Sequence, residues 1–336
     1  MLFQPAIIAL VLASLIATLL VASSMPFAVR VLRRWDLASG SEAQLEMERR
    51  TYLVSTLLKV VLVSEAAALV LFVFNADRMA SLFTGAMCAV GTLKVDAYGF
   101  PALYLKMTVF FLSAGWLTLN HVDNMGWDYP LIRLKYMALL VIAPVLAAAA
   151  GVQLAYFLGL RADVITSCCS TLFSGNGITV TNNALASMPH WLALSLLAGS
   201  LTAVSVSGAH FLIRGSGGVA HAVLSAAAFL IGLAAVVSTV SVYVYELPHH
   251  HCPFCLLKQE YGHVGYALYL PLFVAAACGM GGGIAARARR HTSLAEAAPQ
   301  AARRLVAWSL AGFAAFAVVA LVLILRSNLI LFEAAP

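Results

Sequence analysis

Charge is what this sequence has least of. Asp, Glu, Lys and Arg together make up 10% of its 336 residues, where a soluble domain carries about 25%. A chain this poor in charge cannot cover its surface for water, which excludes a soluble enzyme and a disordered chain. It also lacks alternation. Its apolar stretches are continuous, whereas the strands of a membrane β-barrel alternate with period two. No Gly-x4-Gly-Lys-Ser/Thr loop occurs, and Gly279 and Gly281 to Gly283 have no adjacent lysine that would make them a phosphate cradle. No basic stretch is interleaved with stacking aromatics, so the net charge of +6 does not point to nucleic acid. No internal repeat relates the two halves.

What the chain does have is apolar length. Hydrophobic residues account for 62% and the mean hydropathy is +0.93. A helical span needs about 20 apolar residues to cross about 30 Å of hydrocarbon. Segments near 5–27, 52–74, 101–119, 131–158, 191–213, 219–243, 264–286 and 305–325 qualify. The expected fold is all-α: a single polytopic helical bundle over residues 1–336, about eight spans, with the lipid bilayer as its solvent. The close-packing glycines of the seventh span suit such a bundle.

The basic residues set the expected orientation. With the N-terminus outside, the inner loops hold Arg30, Arg33, Arg34, Arg49, Arg50, Arg133, Lys135, Arg214, Arg287, Arg289, Arg290, Arg303 and Arg304. The opposite face holds Arg78, Lys94, Arg161, Lys258 and Arg326. This bias predicts both termini on the extracytoplasmic side. Met1 to Ala22 carries no charge, so the first span reads as an uncleaved anchor and not as a secretory signal. Ala/Leu-rich spans without a processing signal suggest a bacterial inner membrane. Ser39 and Glu42 have capping-box spacing, which starts the second helix near Glu42, about two turns beyond the membrane.

In this topology the outer loops are 75–100, 159–190 and 244–263, and five of six cysteines fall in them. Cys88, Cys168, Cys169, Cys252 and Cys255 share that face, while Cys278 lies inside the seventh span. The densest motif is His249-His250-His251-Cys252-Pro253-Phe254-Cys255, read as opening the seventh helix. There a helix N-terminus and protonated imidazoles, His251 above all, would favour thiolate. Cys252 and Cys255 become the candidate catalytic pair. Adjacent Cys168 and Cys169 become shuttle thiols that exchange with it through mixed disulfides. Glu65, mid-span and ionisable, is a candidate proton carrier, and by depth it can approach Lys106.

A Cys-x-x-Cys at the mouth of a membrane helix, with a second cysteine pair in an outer loop, resembles vitamin K epoxide reductases and quinone-linked disulfide-generating enzymes. The likeness covers about twenty residues around Cys252 and Cys255, and those proteins have a four-helix core where this chain has eight spans. It is a likeness of chemistry, and it implies a quinone as electron acceptor and an extracytoplasmic, periplasmic thiol protein as partner.

Two other functions fit the same residues. Met87, Cys88, His249, His250, His251 and His263 are candidate ligands for a soft metal such as copper, which would make the protein a permease or accessory subunit. Alternatively the cysteines form purely structural bridges in a subunit that assembles with other membrane subunits.

Overall fold

The computed structural model describes residues 4–37, 39–161, 164–166 and 188–329. Among the described residues there is no strand. Eight helices of the described residues are long and apolar enough to cross a membrane: α1 (Pro5–Arg34), α2 (Glu42–Arg78), α3 (Gly99–Asp123), α4 (Ile132–Gly159), α5 (His190–Arg214), α6 (Gly218–Tyr245), α7 (Val264–Ala288) and α8 (Ala297–Arg326). Most outrun the apolar segments that mark them. Hydropathy locates the part that suits hydrocarbon, whereas a helix continues through its charged turns until its backbone is capped. Thus α1 runs on to Arg34 and ends at extended Trp35, with Arg33 and Arg34 in its last turn.

The start of α2 corrects one expectation. Glu42 is its first residue, as the spacing suggested, but Ser41 and not Ser39 caps it. The Ser41 Oγ accepts the Gln44 backbone N–H at 3.4 Å. Ser41 to Gln44 is the same Ser-x-x-Gln signature, displaced by two residues. The segment 75–100, expected as a loop, is largely helical. α2 continues to Arg78, a 3-10 turn covers Met79–Leu82, and a short helix spans Ala89–Lys94.

The chain divides into two compact units. The first comprises residues 1–75, 95–161 and 284–302; the second comprises 76–94, 162–283 and 303–336.

In the first unit, α4 packs against both α1 and α3. The buried stripe of α1 is Ile7, Leu10, Ser14, Ala17, Val21, Ser24, Ala28 and Val31. That of α4 includes Ile132, Lys135, Leu139, Ile142, Leu146, Ala149, Gln153 and Tyr156. Both follow alternating steps of three and four, the seam of left-handed helix packing. Small Ser14, Ala17, Ser24 and Ala28 let the helices approach. Phe27 meets Tyr136 edge-on at 5.7 Å between ring centroids, and the Trp116 indole N–H donates to the Lys135 carbonyl at 3.2 Å.

Polar side chains tie this unit together. Gln153 donates from Nε2 to the Leu10 carbonyl at 3.1 Å and to Ser14 Oγ at 3.4 Å. Lys135 Nζ sits 2.8 Å from Asp123 Oδ2 and donates to Asn120 Oδ1 at 3.3 Å. Asp123 Oδ1 also accepts the Leu131 N–H at 2.8 Å, closing the turn from α3 to α4. Lys135, counted with the inner-loop charges in the sequence, is therefore a buried partner of Asp123 and not a solvated loop cation.

In the second unit α5 lies against α6, and the glycines of α7 permit backbone contact. A Cβ at Gly279 would stand 2.2 Å from Ser225 Oγ, and one at Gly283 2.5 Å from Ala222 Cβ. His221 is fully buried, with Nδ1 3.0 Å from Ser207 Oγ. α6 carries a π-turn at Val236–Val240, a feature that shifts backbone carbonyls out of register and often marks functional positions.

Candidate functional site

The site is built by two segments of the second unit. One is the connection between α6 and α7. Glu246, at φ 55°, takes the left-handed conformation and stops α6 after Tyr245. Pro253 then removes a backbone donor and steers Cys252 away from helix. Cys255–Leu257 and Gln259–Tyr261 form separate 3-10 turns, and Gly262 and His263 both have positive φ before α7 begins at Val264. Cys252 and Cys255 therefore do not open the seventh helix. Neither lies in the first turn of a long helix, and Cys255 opens a three-residue 3-10 turn.

Two tyrosines hold this connection. Tyr245 Oη donates to the Cys252 carbonyl at 2.6 Å and Tyr269 Oη to the Pro253 carbonyl at 2.9 Å. The backbone between the histidines and Phe254 is thus pinned from α6 and from α7.

The other segment carries Cys88. Ala86 N–H bonds to the Phe83 carbonyl at 3.2 Å, closing a turn in which Gly85 has φ +83°. That value is what a type II turn demands at its third residue, and glycine meets it without strain. A Cβ at Gly85 would also lie 2.1 Å from the Thr166 carbonyl oxygen, and Thr166 N–H bonds Thr84 at 3.0 Å. The turn delivers Cys88 to the start of the helix Ala89–Lys94, where its carbonyl accepts the Gly91 N–H at 2.9 Å.

The three cysteines converge. Cys88, Cys252 and Cys255 are all buried, and their sulfurs lie within 4.8 Å of one another. Cys88 Sγ is 3.6 Å from Cys252 Sγ, a thiol hydrogen-bond separation and well beyond the ~2.05 Å of a disulfide. Among the described residues this is the one group of three or more Cys, His, Asp or Glu side chains gathered closely enough to hold a metal ion. The sequence offers Cys88 as a fifth outer-face thiol and a soft-metal ligand, and here it stands beside the Cys-x-x-Cys.

The imidazoles take other partners. His251 is buried and its Nδ1 lies 3.2 Å from the Val237 carbonyl in the π-turn of α6. Burial holds its pKa below the usual 6.5, against the opposing pull of that carbonyl. A neutral imidazole supplies no positive charge to a thiolate, so His251 anchors the connection. His250 meets the Tyr245 ring edge-on at 4.5 Å, and His263 Nδ1 is 2.6 Å from the Leu257 carbonyl. His249, His250, His251 and His263 stand outside the sulfur group, and Met87 is 70% exposed. Cys168 and Cys169 lie outside the described residues.

The depressed pKa of His251 has a consequence for pH. The unfolded imidazole binds its proton near 6.5, before the folded one does. The connection therefore keeps its full stability above that value and loses it as pH falls through the window below. Hydrogen exchange at residues 247–258, corrected for intrinsic rate, is expected to quicken as pH drops from about 7.5 to about 5.5. His251→Gln should flatten that response; an unchanged pH dependence in the variant would assign it elsewhere.

Glu65 belongs to the first unit. Its Oε2 is 3.6 Å from Lys106 Nζ, each side chain 2% exposed, so the pairing anticipated from depth occurs. Lys106 also lies 3.5 Å from Ser14 Oγ. The carboxylate that interacts with the thiol cluster is a different one, Asp77, on the last turn of α2. It accepts the Ala89 N–H and interacts electrostatically with Cys88, Lys258 and His263. Its Oδ1 is buried without a hydrogen-bond partner among the described residues. Nothing in the sequence neighbours of Asp77 marks it; only the turn at Gly85 returns the chain to it. Comparison with protein-family models, with curated proteins and with solved structures gives no match for this chain.

Proposed function

We propose that the protein is an integral membrane thiol–disulfide redox protein, its cysteine cluster facing the extracytoplasmic side of a bacterial inner membrane with both termini on that side. The observation that supports this most is the 3.6 Å approach of Cys88 Sγ to Cys252 Sγ within the buried three-sulfur group. Exchange requires a thiolate to reach a disulfide sulfur. In the oxidised protein Cys252 and Cys255 share a disulfide. Cys88 thiolate attacks Cys252, forming a Cys88–Cys252 bond and releasing Cys255 as thiolate, while Asp77 takes the Cys88 proton.

That exchange is reversible, and a periplasmic dithiol reacts with the Cys252–Cys255 form at Cys255, 5% exposed against 0% for the other two. One partner thiolate attacks Cys255 and releases Cys252 as thiolate, and the second partner thiolate displaces Cys255 from the mixed disulfide. The partner leaves oxidised and two cysteines of the cluster are left reduced. A quinone in the membrane then accepts their two electrons and two protons, which restores the disulfide and yields quinol. Glu65 remains the candidate for carrying protons within the first unit.

The test uses purified protein in lipid, reduced and then mixed with a short-chain quinone. One quinol should form for every two thiols lost, and Cys252→Ser should abolish quinol formation. Thiols that persist beside quinone would remove this reading.

One observation favours a second reading. Three sulfurs each about 2.3 Å from a common centre are about 4 Å apart, which suits the spacing here. Reduced protein that retains one copper(I) per chain, lost in Cys88→Ser but kept in His249→Ala, would make soft-metal delivery the function.

A further inference from the structure

Where α1 ends and α2 begins, the first unit holds a pocket of about 400 Å³, within the ~300–1,000 Å³ range of small-ligand sites. Arg30, Arg33 and Arg34 of α1 and Arg50 of α2 line it. The one acidic residue in the lining, Glu46, is paired with Arg50. Among the described residues no carboxylate pairs with Arg30, Arg33 or Arg34. The pocket therefore gathers four guanidiniums against one carboxylate. Pro26, Val29 and Met47 supply its apolar wall.

We propose that this pocket binds the phosphodiester headgroup of an anionic membrane lipid. The proposal rests on insertion of the helices in a bilayer and is independent of the cysteine chemistry. All four cations are arginines, whose planar forks match phosphate oxygens in pairs where lysine offers a point charge. A soluble phosphate would need no apolar approach, and this pocket has one. Leu12, Ile16, Leu19, Pro26, Arg30 and Arg33 are all exposed and follow each other by three, four or seven residues on one outward face of α1. Acyl chains laid along the leucines and isoleucine lead directly to the guanidiniums. With 30 residues, α1 is about 45 Å long. That exceeds about 30 Å of hydrocarbon and sets its basic end at headgroup level. Basic pockets between membrane helices are suited to such headgroups.

The experiment titrates the full chain in a non-ionic maltoside with phosphatidylglycerol, phosphatidylcholine or free glycerol phosphate. Retention is read by native mass spectrometry and stabilisation by thermal unfolding. Phosphatidylglycerol should bind and raise the unfolding temperature while the other two do neither. The combined Arg30→Gln, Arg33→Gln and Arg34→Gln variant should bind it at least roughly tenfold more weakly. Arg287→Gln, Arg290→Gln and Arg303→Gln together, an equal loss of charge elsewhere, should leave affinity unchanged. Should the triple variant fail to fold, Arg33→Lys provides the check, since it keeps the charge, loses the fork and should still weaken retention.

Equal binding of glycerol phosphate would overturn the lipid assignment in favour of a soluble anion. Equal binding of phosphatidylcholine would reduce it to acyl-chain packing, and equal loss in the control variant to general surface charge. A chain that stays soluble without detergent would instead remove the membrane reading itself.

Discussion

Mild oxidation of Cys255→Ser is expected to join Cys88 and Cys252 in a single disulfide, and Cys88→Ser to yield Cys252–Cys255 alone. Wild type should show both linkages in exchange. The reason is distance. Bond formation requires only about 1.5 Å of closing between sulfurs now 3.6 Å apart, and all three sulfurs fall within 4.8 Å. Peptide mapping under non-reducing conditions, with alkylation before digestion, reads the linkage directly. The effect is all-or-none, because three sulfurs allow three pairings and each substitution leaves a single one. If Cys88 and Cys252 of the Cys255→Ser protein both remain open to alkylation after oxidation, exchange through Cys88 does not operate. The redox proposal would then lack its resolving thiol.

The largest expected loss of stability comes from Asp123→Ala. Asp123 and Lys135 are both fully buried, 2.8 Å apart, and removing the carboxylate leaves an ammonium with only the Asn120 amide oxygen beside it. Breaking one half of a buried pair costs about 3–5 kcal/mol, since the remaining charge is uncompensated. The substitution also strips the Leu131 N–H of its acceptor at the turn. Denaturant unfolding in mixed micelles, followed by tryptophan fluorescence, should register both losses through Trp116, which bonds the Lys135 carbonyl. The double variant Asp123→Ala with Lys135→Met should recover most of the stability. A cost below about 1 kcal/mol in the single variant would mean that water reaches the pair.

Which helix faces pack inward was hidden by the kind of solvent a membrane is. In a soluble bundle the apolar stripe of α1 would separate core from surface. Here Leu12 and Leu15 are exposed and Leu10 is buried, though all three are leucine, because lipid is as apolar as the interior. What does separate the faces is the polar and small set: Ser14, Ala17, Ser24, Gln153, Lys106 and Glu65 all turn inward. The Glu65–Lys106 pairing was legible for this reason, since a charge at that depth needs a partner.

The sequence by itself determined that the chain forms about eight helices of membrane-crossing length, and where their apolar centres lie, because apolar length and backbone satisfaction are local properties. It also marked Cys252 and Cys255 as a candidate pair, since their spacing is written within four residues. Only the tertiary structure decided that they precede α7 in a connection of short turns, that His251 and His263 bond backbone carbonyls instead of sulfur, and that Cys88 completes the cluster. Those outcomes depend on positive φ at Glu246, Gly262 and His263 and on the turn at Gly85. Contacts spanning 164 residues, such as Cys88 to Cys252, have no periodicity in sequence to announce them.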